Sequence, residues 1–408
     1  MQALYSTALS LYAWEDQDRQ DTGSAPTSFE AATQSFTILL PARHEQQVIA
    51  NTIQRMAELN YPRHLVQILI VIEHTDDETI GEVNGKFEEL RAAGIDNARL
   101  ITFDEPPINK PHGLNVGLKE STGDIVTIFD AEDEPHPDIL NVVNTVMLQE
   151  QKDVVQCGVQ LMNYDDHWFS ALNVLEYFFW FKSRLHYHAT KGVIPLGGNT
   201  VFIRRDLMLE LGGWDDSCLT EDADIGLRLS ARGTPIRMVY EHEYVTREET
   251  PHSVGEFIKQ RTRWDQGFYQ VLAKGDWRRL PTRTERMLAL YTLSFPLFQA
   301  LMMLYLPVTV YTMFFVDMPV PVAMLATLPL YMLVIQFLIS ILGLYEFTSA
   351  HKLKPSFFSG IRMLIVYMPF QWLLAYAALR ALVRHAAGTN TWEKTTHTGA
   401  HREELTAA

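Results

Sequence analysis

Three observations predict a two-part chain. Strands alternate with helices over residues 36–129, acidic residues gather where those strands end, and two long uncharged apolar runs follow Arg286. Together they predict an α/β domain on a mainly parallel sheet, followed by an α-helical transmembrane region. Phe36-Thr37-Ile38-Leu39-Leu40-Pro41 is a buried strand ending in proline. Residues 45–59 carry apolar side chains at helical spacing, and residues 67–72 form a second strand of Val, Ile and Leu. A helix over 86–93, a third strand over 98–103, a helix opening at 113–118 and a fourth strand over 124–129 follow. Ligands of such sheets sit beyond the C-terminal ends of the strands. Those ends carry Arg43, Glu45, Glu73, Asp76, Asp77, Asp130 and Asp133.

The 408 residues suffice for one large α/β domain and a membrane part. The mean hydropathy of -0.05 averages over a sharp division, with most charge before Arg286 and most apolar runs after it. A net charge of -15 argues against nucleic acid as partner, because phosphate backbones need clustered Lys and Arg. It leaves room for a nucleotide-sugar, whose charge a metal and a few basic groups can meet locally. Cys157 and Cys218 make neither a disulfide framework nor a thiolate metal site. No secretory signal is visible at the N-terminus. Residues 1–14 are weakly apolar, as the tail of a membrane segment or a surface helix would be, and residues 15–34 read as a polar linker.

Residues 287–316 contain no charge, nor do residues 318–345, and each run exceeds the roughly 20 residues needed to cross a bilayer. Asp317 and Pro319 mark a tight turn between them. Pro296 and Pro307 should kink the first helix or divide it into an interfacial and a spanning piece. Residues 363–379 are a shorter third candidate, followed by Arg380 and Arg384. The Arg-rich stretch 274–286 is cytoplasmic by the positive-inside rule. Three spans would put Arg380, Arg384, His385 and Lys394 outside, against the same rule. Either the third segment is re-entrant or interfacial, or the first contains a part that does not span. The aromatic stretch 168–185, with Trp168, Phe169, Tyr177, Phe178, Phe179, Trp180 and Phe181, reads as an amphipathic helix at the membrane interface, with a core helix as the alternative.

The residues that carry chemistry fall into four groups. Asp130-Ala131-Glu132-Asp133-Glu134 offers clustered hard oxygen ligands, suited to Mg2+ or Mn2+ bridging a diphosphate; a solvated acidic turn is the plain alternative. Gly197-Gly198-Asn199 precedes an apolar strand, where paired glycines let backbone approach a ligand or make an ordinary turn. Thr220-Glu221-Asp222 opens a helix with Thr220 as a plausible N-cap. Its acids either favour the helix start or provide in Asp222 a general base. Gln260-Arg261-Thr262-Arg263-Trp264 joins basic groups that can hold a diphosphate to an indole that can stack a sugar.

In this order these residues resemble the inverting family-2 glycosyltransferases with a GT-A fold, a Rossmann-like α/β arrangement. The likeness is closest to the membrane-embedded branch that includes cellulose and hyaluronan synthases, and it runs from about residue 36 to residue 270. The Thr-Glu-Asp triplet and the Gln-Arg-x-Arg-Trp run are specific when found together. The resemblance implies that Pro41, Arg43, Glu45, Glu73 and Asp77 line the nucleotide and that Lys110 lies near the diphosphate. It implies Asp130 and Glu132 as the metal-side acids, with Asp133 the alternative second acid. Asp222 becomes the catalytic base beside Glu221. Gln260, Arg261 and Arg263 close on the donor, and Trp264, with Gly198 and Asn199, contacts the acceptor. Glu73 and Glu132 stand where the family usually has Asp. The processive synthases also carry membrane helices before the catalytic domain, and none is evident here, which argues against a complete polymer channel in this chain alone. Trp392-Glu393-Lys394-Thr395-Thr396-His397 is similar to the end of bacterial members.

The expected organisation is an N-terminal segment and linker over 1–35, a GT-A domain over 36–250 and interfacial helices with the Gln-Arg-x-Arg-Trp run over 251–286. Two or three spans over 287–385 and a polar tail over 386–408 complete it. The implied activity is transfer of a sugar from a nucleotide-diphosphate donor, a UDP-sugar by family habit, to a polysaccharide or glycolipid acceptor. It needs Mg2+ or Mn2+ and takes place at a bacterial-type inner membrane, with the catalytic domain cytoplasmic. Single addition to a lipid-linked acceptor and a non-catalytic membrane scaffold are the alternatives.

Overall fold

The computed structural model describes residues 2–14, 21–354, 358–393, 399 and 401–402. The linker expected over 15–34 and the tail motif at 392–397 lie partly outside these residues. Within them the strands are β1 Phe36–Ala42, β2 Val66–Glu73, β3 Ala98–Phe103, β4 Ile125–Ile128, β5 Val154–Cys157, β6 Val159–Leu161, β7 Val201–Arg204, β8 Ile236–Val239 and β9 Thr246–Glu248. Seven of them form one sheet in the order β3-β2-β1-β4-β7-β5-β8, while β6 pairs with β9. Strands β1 to β4 are mutually parallel. Both faces of β1 are covered: Phe36, Ile38 and Leu40 pack with Ile49, Ile53 and Val143, and Leu39 packs with Leu114 and Leu118. Burial on both faces is why these strands read as continuous apolar runs.

The strand after the paired glycines departs from a simple parallel order. β7 runs antiparallel to both β4 and β5. Its start, not its end, therefore stands at the edge where β1, β2 and β4 finish, which brings Gly198 and Asn199 to the same edge as Asp130. β9 is held beside the acidic turn by its pairing with β6 and by an antiparallel bridge between Glu134 and Arg247.

Helix boundaries differ from the sequence expectation in readable ways. The helix expected over 86–93 begins at Asp77 and runs to Ala92, because Asp76 accepts from the Thr79 amide and caps it. The helix at Lys110–Glu120 starts three residues earlier than expected, since the Asn109 side chain accepts from the His112 amide and Pro111 fits the first turn. Thr220 occupies the N-cap position of helix Glu221–Ala231, but its side chain makes no capping bond. It fills the notch left by Gly267, where any Cβ would overlap it.

The aromatic stretch becomes helix Ser170–Phe179, a π turn Trp180–Arg184 and helix Leu185–Thr190. Phe169, Leu175 and Phe178 are buried against Phe347, Met363 and Phe370. The stretch is thus a core element joining the sheet domain to the apolar helices, not an exposed interfacial helix. Gly343 permits this packing, because a Cβ there would meet the Phe179 ring.

Three helices among the described residues are long and apolar enough to cross a membrane. The run from 287 divides at Ser294 into Arg283–Leu293 and Phe295–Phe315, with Pro296 in the first turn of the second piece. Val320–Ala350 follows after a short turn, and Ser359–Ala386 packs along both Phe295–Phe315 and the long helix Val254–Lys274. Both ends of this last helix are tied to the sheet side. Arg362 pairs with Asp165 and donates to the His167 carbonyl at 2.5 Å. Arg380 and Arg384 reach Glu393 at 2.6 and 3.3 Å, and Arg384 donates to Gln266 at 3.1 Å.

Gly267→Ala is expected to push helix Val254–Lys274 off Thr220 and to destabilise the protein by about 1–3 kcal/mol, the usual range for overpacking. Thermal melting of the single variant and of Gly267→Ala/Thr220→Gly checks this; the second change should recover much of the loss.

Candidate active site

A single cavity of about 560 Å³ opens at the C-terminal edge of β1, β2 and β4. Pro41, Arg43, Glu45, Glu73, Lys110, Asp130, Glu132, Gly198, Asn199, Glu221, Asp222, Gln260, Arg261, Arg263 and Trp264 all line it. Four segments far apart in sequence therefore converge, as the strand-end argument requires. Asp77 and Asp133 do not line it. Asp77 is exposed at the start of its helix, and the buried acid there is Asp76, which accepts from His44 N at 2.6 Å. Asp133 lies behind the turn. Its carboxylate accepts from Asp130 N at 2.7 Å and from Asn199 Nδ2 at 2.8 and 2.9 Å. It shapes the turn and leaves Asp130 and Glu132 to face the cavity.

Asn199 also donates to Glu248. Its amide hydrogens are thus spent inside the acidic cluster and not on the Trp264 side. Glu248 was not singled out in the sequence, because β9 is a three-residue strand with no alternating pattern; its place at a strand end was the available signal. Burial raises the Glu248 carboxyl to about 7, with Asp130 adding to the rise. Burial also raises Glu132 and Asp133 well above the carboxylate range, reinforced by Asp130 and by each other or their neighbours.

Lys110 Nζ pairs with Asp130 and donates to the Gly198 carbonyl at 3.2 Å. Burial lowers the Lys110 pKa, but Asp130 and Glu221 more than reverse this and keep the ammonium charged. Gly198 leaves room beside the base candidate: a Cβ there would stand 3.3 Å from Asp222 Oδ2. Asp222 Oδ1 accepts from the Ala223 amide at 2.8 Å, so Oδ2 is the atom turned to the cavity. Burial raises Asp222, opposed by the Ala223 amide and Lys110. Glu221 rises to about 7 through burial, with Lys110 opposing and Asp222 reinforcing.

The two arginines of the Gln-Arg-x-Arg-Trp run lie two residues apart on one helix, hence about 200° apart around it. Arg263 feels Glu221, Asp130 and Asp222, stacks over Trp392 at 4.8 Å and donates to the Glu393 carbonyl at 2.6 Å. Arg261 faces the other way. It pairs with Glu176 at 2.8 Å and lies 4.5 Å over the Trp264 ring. The sequence grouped both arginines on the donor; the helix separates them. Asp265, beside them, is raised to about 8 by burial, with Arg261 opposing and Glu176 reinforcing. Gln260 Oε1 is buried without a hydrogen-bond partner. Arg402 reaches back to donate to the Glu132 carbonyl and to Thr52 Oγ1, both at 2.8 Å. Neither Arg402 nor Glu176 carries a sequence signal.

Asp130, Glu132 and Glu248 fit a divalent metal by donor type, being hard oxygen ligands gathered along one cavity wall. Among the described residues no three His, Cys, Asp or Glu groups form a ready cage. A metal here would complete its shell with phosphate oxygens and water, as Mg2+ commonly does.

The sequence matches the family described as "Glycosyltransferase like family 2" over residues 33–267, more than half of the chain. It is 26% identical over 252 residues to the probable glycosyltransferase YdaM of Bacillus subtilis, covering 58% of this chain and 56% of that protein. It is also 26% identical over 239 residues to the beta-monoglucosyldiacylglycerol synthase of Trichormus variabilis, covering 57% and 49%. A probable glucomannan 4-beta-mannosyltransferase 14 of Arabidopsis thaliana is 24% identical over 276 residues, covering 64% and 49%. The chain thus spans about half the length of these curated relatives. Among solved structures, the mannosyltransferase PcManGT of Pyrobaculum calidifontis, in complex with GDP-Man and Mn2+, superposes with a TM-score of 0.57 at 18% identity. That match covers 94% of this chain and 98% of that one, and at such identity it speaks for the shared GT-A fold. With the family match spanning the sheet and all four converging segments, the chain belongs to the glycosyltransferase like family 2.

Proposed function

We propose that this protein transfers a sugar from a nucleoside diphosphate donor to a hydroxyl acceptor at a membrane, with inversion at the anomeric carbon. The observation that carries the reading is the meeting of Asp222 Oδ2, the Lys110–Asp130 pair and Arg263 in one cavity. Pro41, Arg43, Glu45 and Glu73 stand at the strand ends where the nucleotide would lie. Lys110 and Arg263 would hold the leaving diphosphate by charge-assisted hydrogen bonds, with Gln260 Oε1 free to accept from donor hydroxyls. Asp130, Glu132 and Glu248 would hold a Mg2+ or Mn2+, which when bound neutralises diphosphate charge. A structural neighbour holding Mn2+ and GDP-Man supports a metal and leaves uridine and guanosine donors both to be assayed. Asp222 takes the proton of the acceptor hydroxyl as its oxygen attacks, and Trp264 supplies the sugar-stacking face beside it.

The Gln-Arg-x-Arg-Trp run together with the apolar helices supports a place in the membrane-embedded branch. We read Phe295–Phe315 and Val320–Ala350 as a spanning hairpin, because Glu346 near the end of the second helix returns to pair with Lys182. Ser359–Ala386, held to the sheet side at both ends, is then the segment that does not cross. In that arrangement the Arg-rich stretch 274–286, Arg380 and Arg384 share one side, which satisfies the positive-inside rule with that side cytoplasmic.

Asp222→Asn should lower turnover by at least roughly 10²-fold, the lower end of what a placed base contributes, while leaving donor binding intact. Release of nucleoside diphosphate from uridine and guanosine diphosphate sugars, with and without Mg2+ or Mn2+, checks this. Near-normal turnover would remove Asp222 from the role.

Asp265 gives a pH prediction. Its folded pKa, about 8, lies above the ordinary 3.8, so the folded state favours the protonated form. The resulting stability is present below about pH 4 and is lost as pH rises towards 8. Asp265→Asn should therefore melt at least about 2 °C above the parent at pH 8, and the gap should shrink by pH 5. A gap that stays constant between the two pH values would contradict the assignment.

A further inference from the structure

The cavity has a cationic part as well as an acidic one. There its wall carries Arg184 from the π turn, Ser6 and Ser10 from helix Gln2–Leu11, Tyr291 and Phe295. Arg184 Nη2 donates to Ser6 Oγ at 2.6 Å and to Ser10 Oγ at 3.2 Å, and Nε donates to Ser10 Oγ at 3.4 Å. Nη1 has no hydrogen-bond partner among the described residues. Other arginines of this chain are matched with carboxylates: Arg228 with Asp224 at 2.8 Å, Arg261 with Glu176 at 2.8 Å and Arg380 with Glu393 at 2.6 Å. Among the described residues no carboxylate forms an ion pair with Arg184. Burial lowers its pKa, and Tyr291 and Glu176 only partly oppose this. A cation withdrawn from water without a counter-ion is costly, and a bound anion offsets that cost.

Two contacts set the depth of this group. Its guanidinium lies 5.8 Å over Phe295, the first residue of the first spanning helix. Lys182, two residues before it, pairs with Glu346 near the end of the second. Arg184 thus stands at the base of the hairpin, where both helices leave the apolar zone. Aromatic rings collect there, with Tyr5 against Tyr291 at 4.7 Å, Tyr12 against Tyr187 at 5.1 Å and Trp14 against Phe179 at 5.7 Å. Tyr and Trp gather at the headgroup level of a bilayer, where basic pockets meet phosphate groups.

The donors suit a tetrahedral oxyanion. A guanidinium fork matches phosphate oxygens with parallel N–H bonds. Beside it Ser10 donates to the Ser6 carbonyl at 3.1 Å and Ser6 bonds Tyr291, so three hydroxyls that can rotate stand around one cation. Arg263 feels Glu221, Asp130 and Asp222, whereas the acid that acts on Arg184 is Glu176. We propose that Arg184, with Ser6, Ser10 and Tyr291, forms a subsite for a phosphate ester, separate from the diphosphate site at Lys110 and Arg263. Its depth rests on the hairpin reading above; the subsite does not depend on the transfer chemistry. Two sources bring such a group to that level, a bilayer lipid headgroup and a soluble phosphate.

The test is calorimetry on the full chain in neutral detergent, without donor or metal. The probes are inorganic phosphate and dihexanoyl phosphatidic acid, with acetate as the carboxylate control. Binding of at least one phosphate probe is expected. Arg184→Gln should weaken it by roughly tenfold to hundredfold, the worth of hydrogen bonds to a charged group, and Tyr291→Phe by roughly threefold. Arg263→Gln should leave it at the parent value. Lipid binding at least about tenfold tighter than inorganic phosphate identifies a headgroup as the source; a smaller difference identifies a soluble phosphate. Relieved of an unpaired charge, ligand-free Arg184→Gln should melt no lower than the parent. Melting well below the parent would make Arg184 a structural tie to helix Gln2–Leu11 and overturn the proposal. Equal binding in the parent and Arg184→Gln, loss of binding in Arg263→Gln, tighter binding of acetate, or no binding of either phosphate probe would overturn it too. None of these results touches the transferase reading, which donor turnover tests separately.

Discussion

Carboxylates of Asp130, Glu132, Glu221, Asp222 and Glu248 share one largely buried space, and their mutual repulsion governs what surrounds them. Like charges in low dielectric are tolerated only when cations or hydrogen-bond donors are fixed among them. Lys110 serves four of these acids at once, Asp130, Glu221, Asp222 and Glu248, and its helix is capped by Asn109 so that the ammonium is aimed before any ligand arrives. Asn199 spends its amide on Asp133 and Glu248. Arg263 adds a second cation from a helix that the sheet does not supply. A diphosphate with its metal suits such a place, because it brings both oxygen ligands and counter-charge to groups that already stand too close.

Much of this was readable in the sequence, for physical reasons. Strands buried on both faces give unbroken apolar runs, so β1 to β4 were found within a residue or two of their bounds. The acids at their ends follow from chain direction alone. The antiparallel course of β7 was hidden, since an apolar four-residue strand looks the same in either direction. That reversal is what carries Gly198 and Asn199 to the site edge. Asp76 and Asp77 are both acids at a strand end, and only backbone geometry shows which one caps the helix and turns inward. Asp133 and Glu132 were likewise inseparable until the turn placed one behind the other.

The aromatic stretch shows how context decides an amphipathic pattern. A helix with Phe, Tyr and Trp on most sides suits a lipid interface or a buried junction equally well. Here Phe347, Met363 and Phe370 cover it, and the π turn at Trp180–Arg184 shifts the chain so that Arg184 turns to Ser6 and Ser10 of the N-terminal helix. Local widening of a helix is a common device for re-aiming side chains near a site. The result is a rigid coupling between the sheet and the apolar helices.

That coupling bears on how the two arginines of the Gln-Arg-x-Arg-Trp run are faced. Arg261 and Arg263 leave one helix on nearly opposite sides, one towards Glu176 and Trp264, the other towards Asp130 and Glu221. Helix Val254–Lys274 is therefore a partition, with charge beside the acidic cluster on one side and the Trp264 ring with Glu176 on the other. Gly267 lets this partition sit directly on Thr220, one residue before the acids of helix Glu221–Ala231. The contact between Gly267 and Thr220 therefore fixes where Asp222 stands relative to the two faces of this helix.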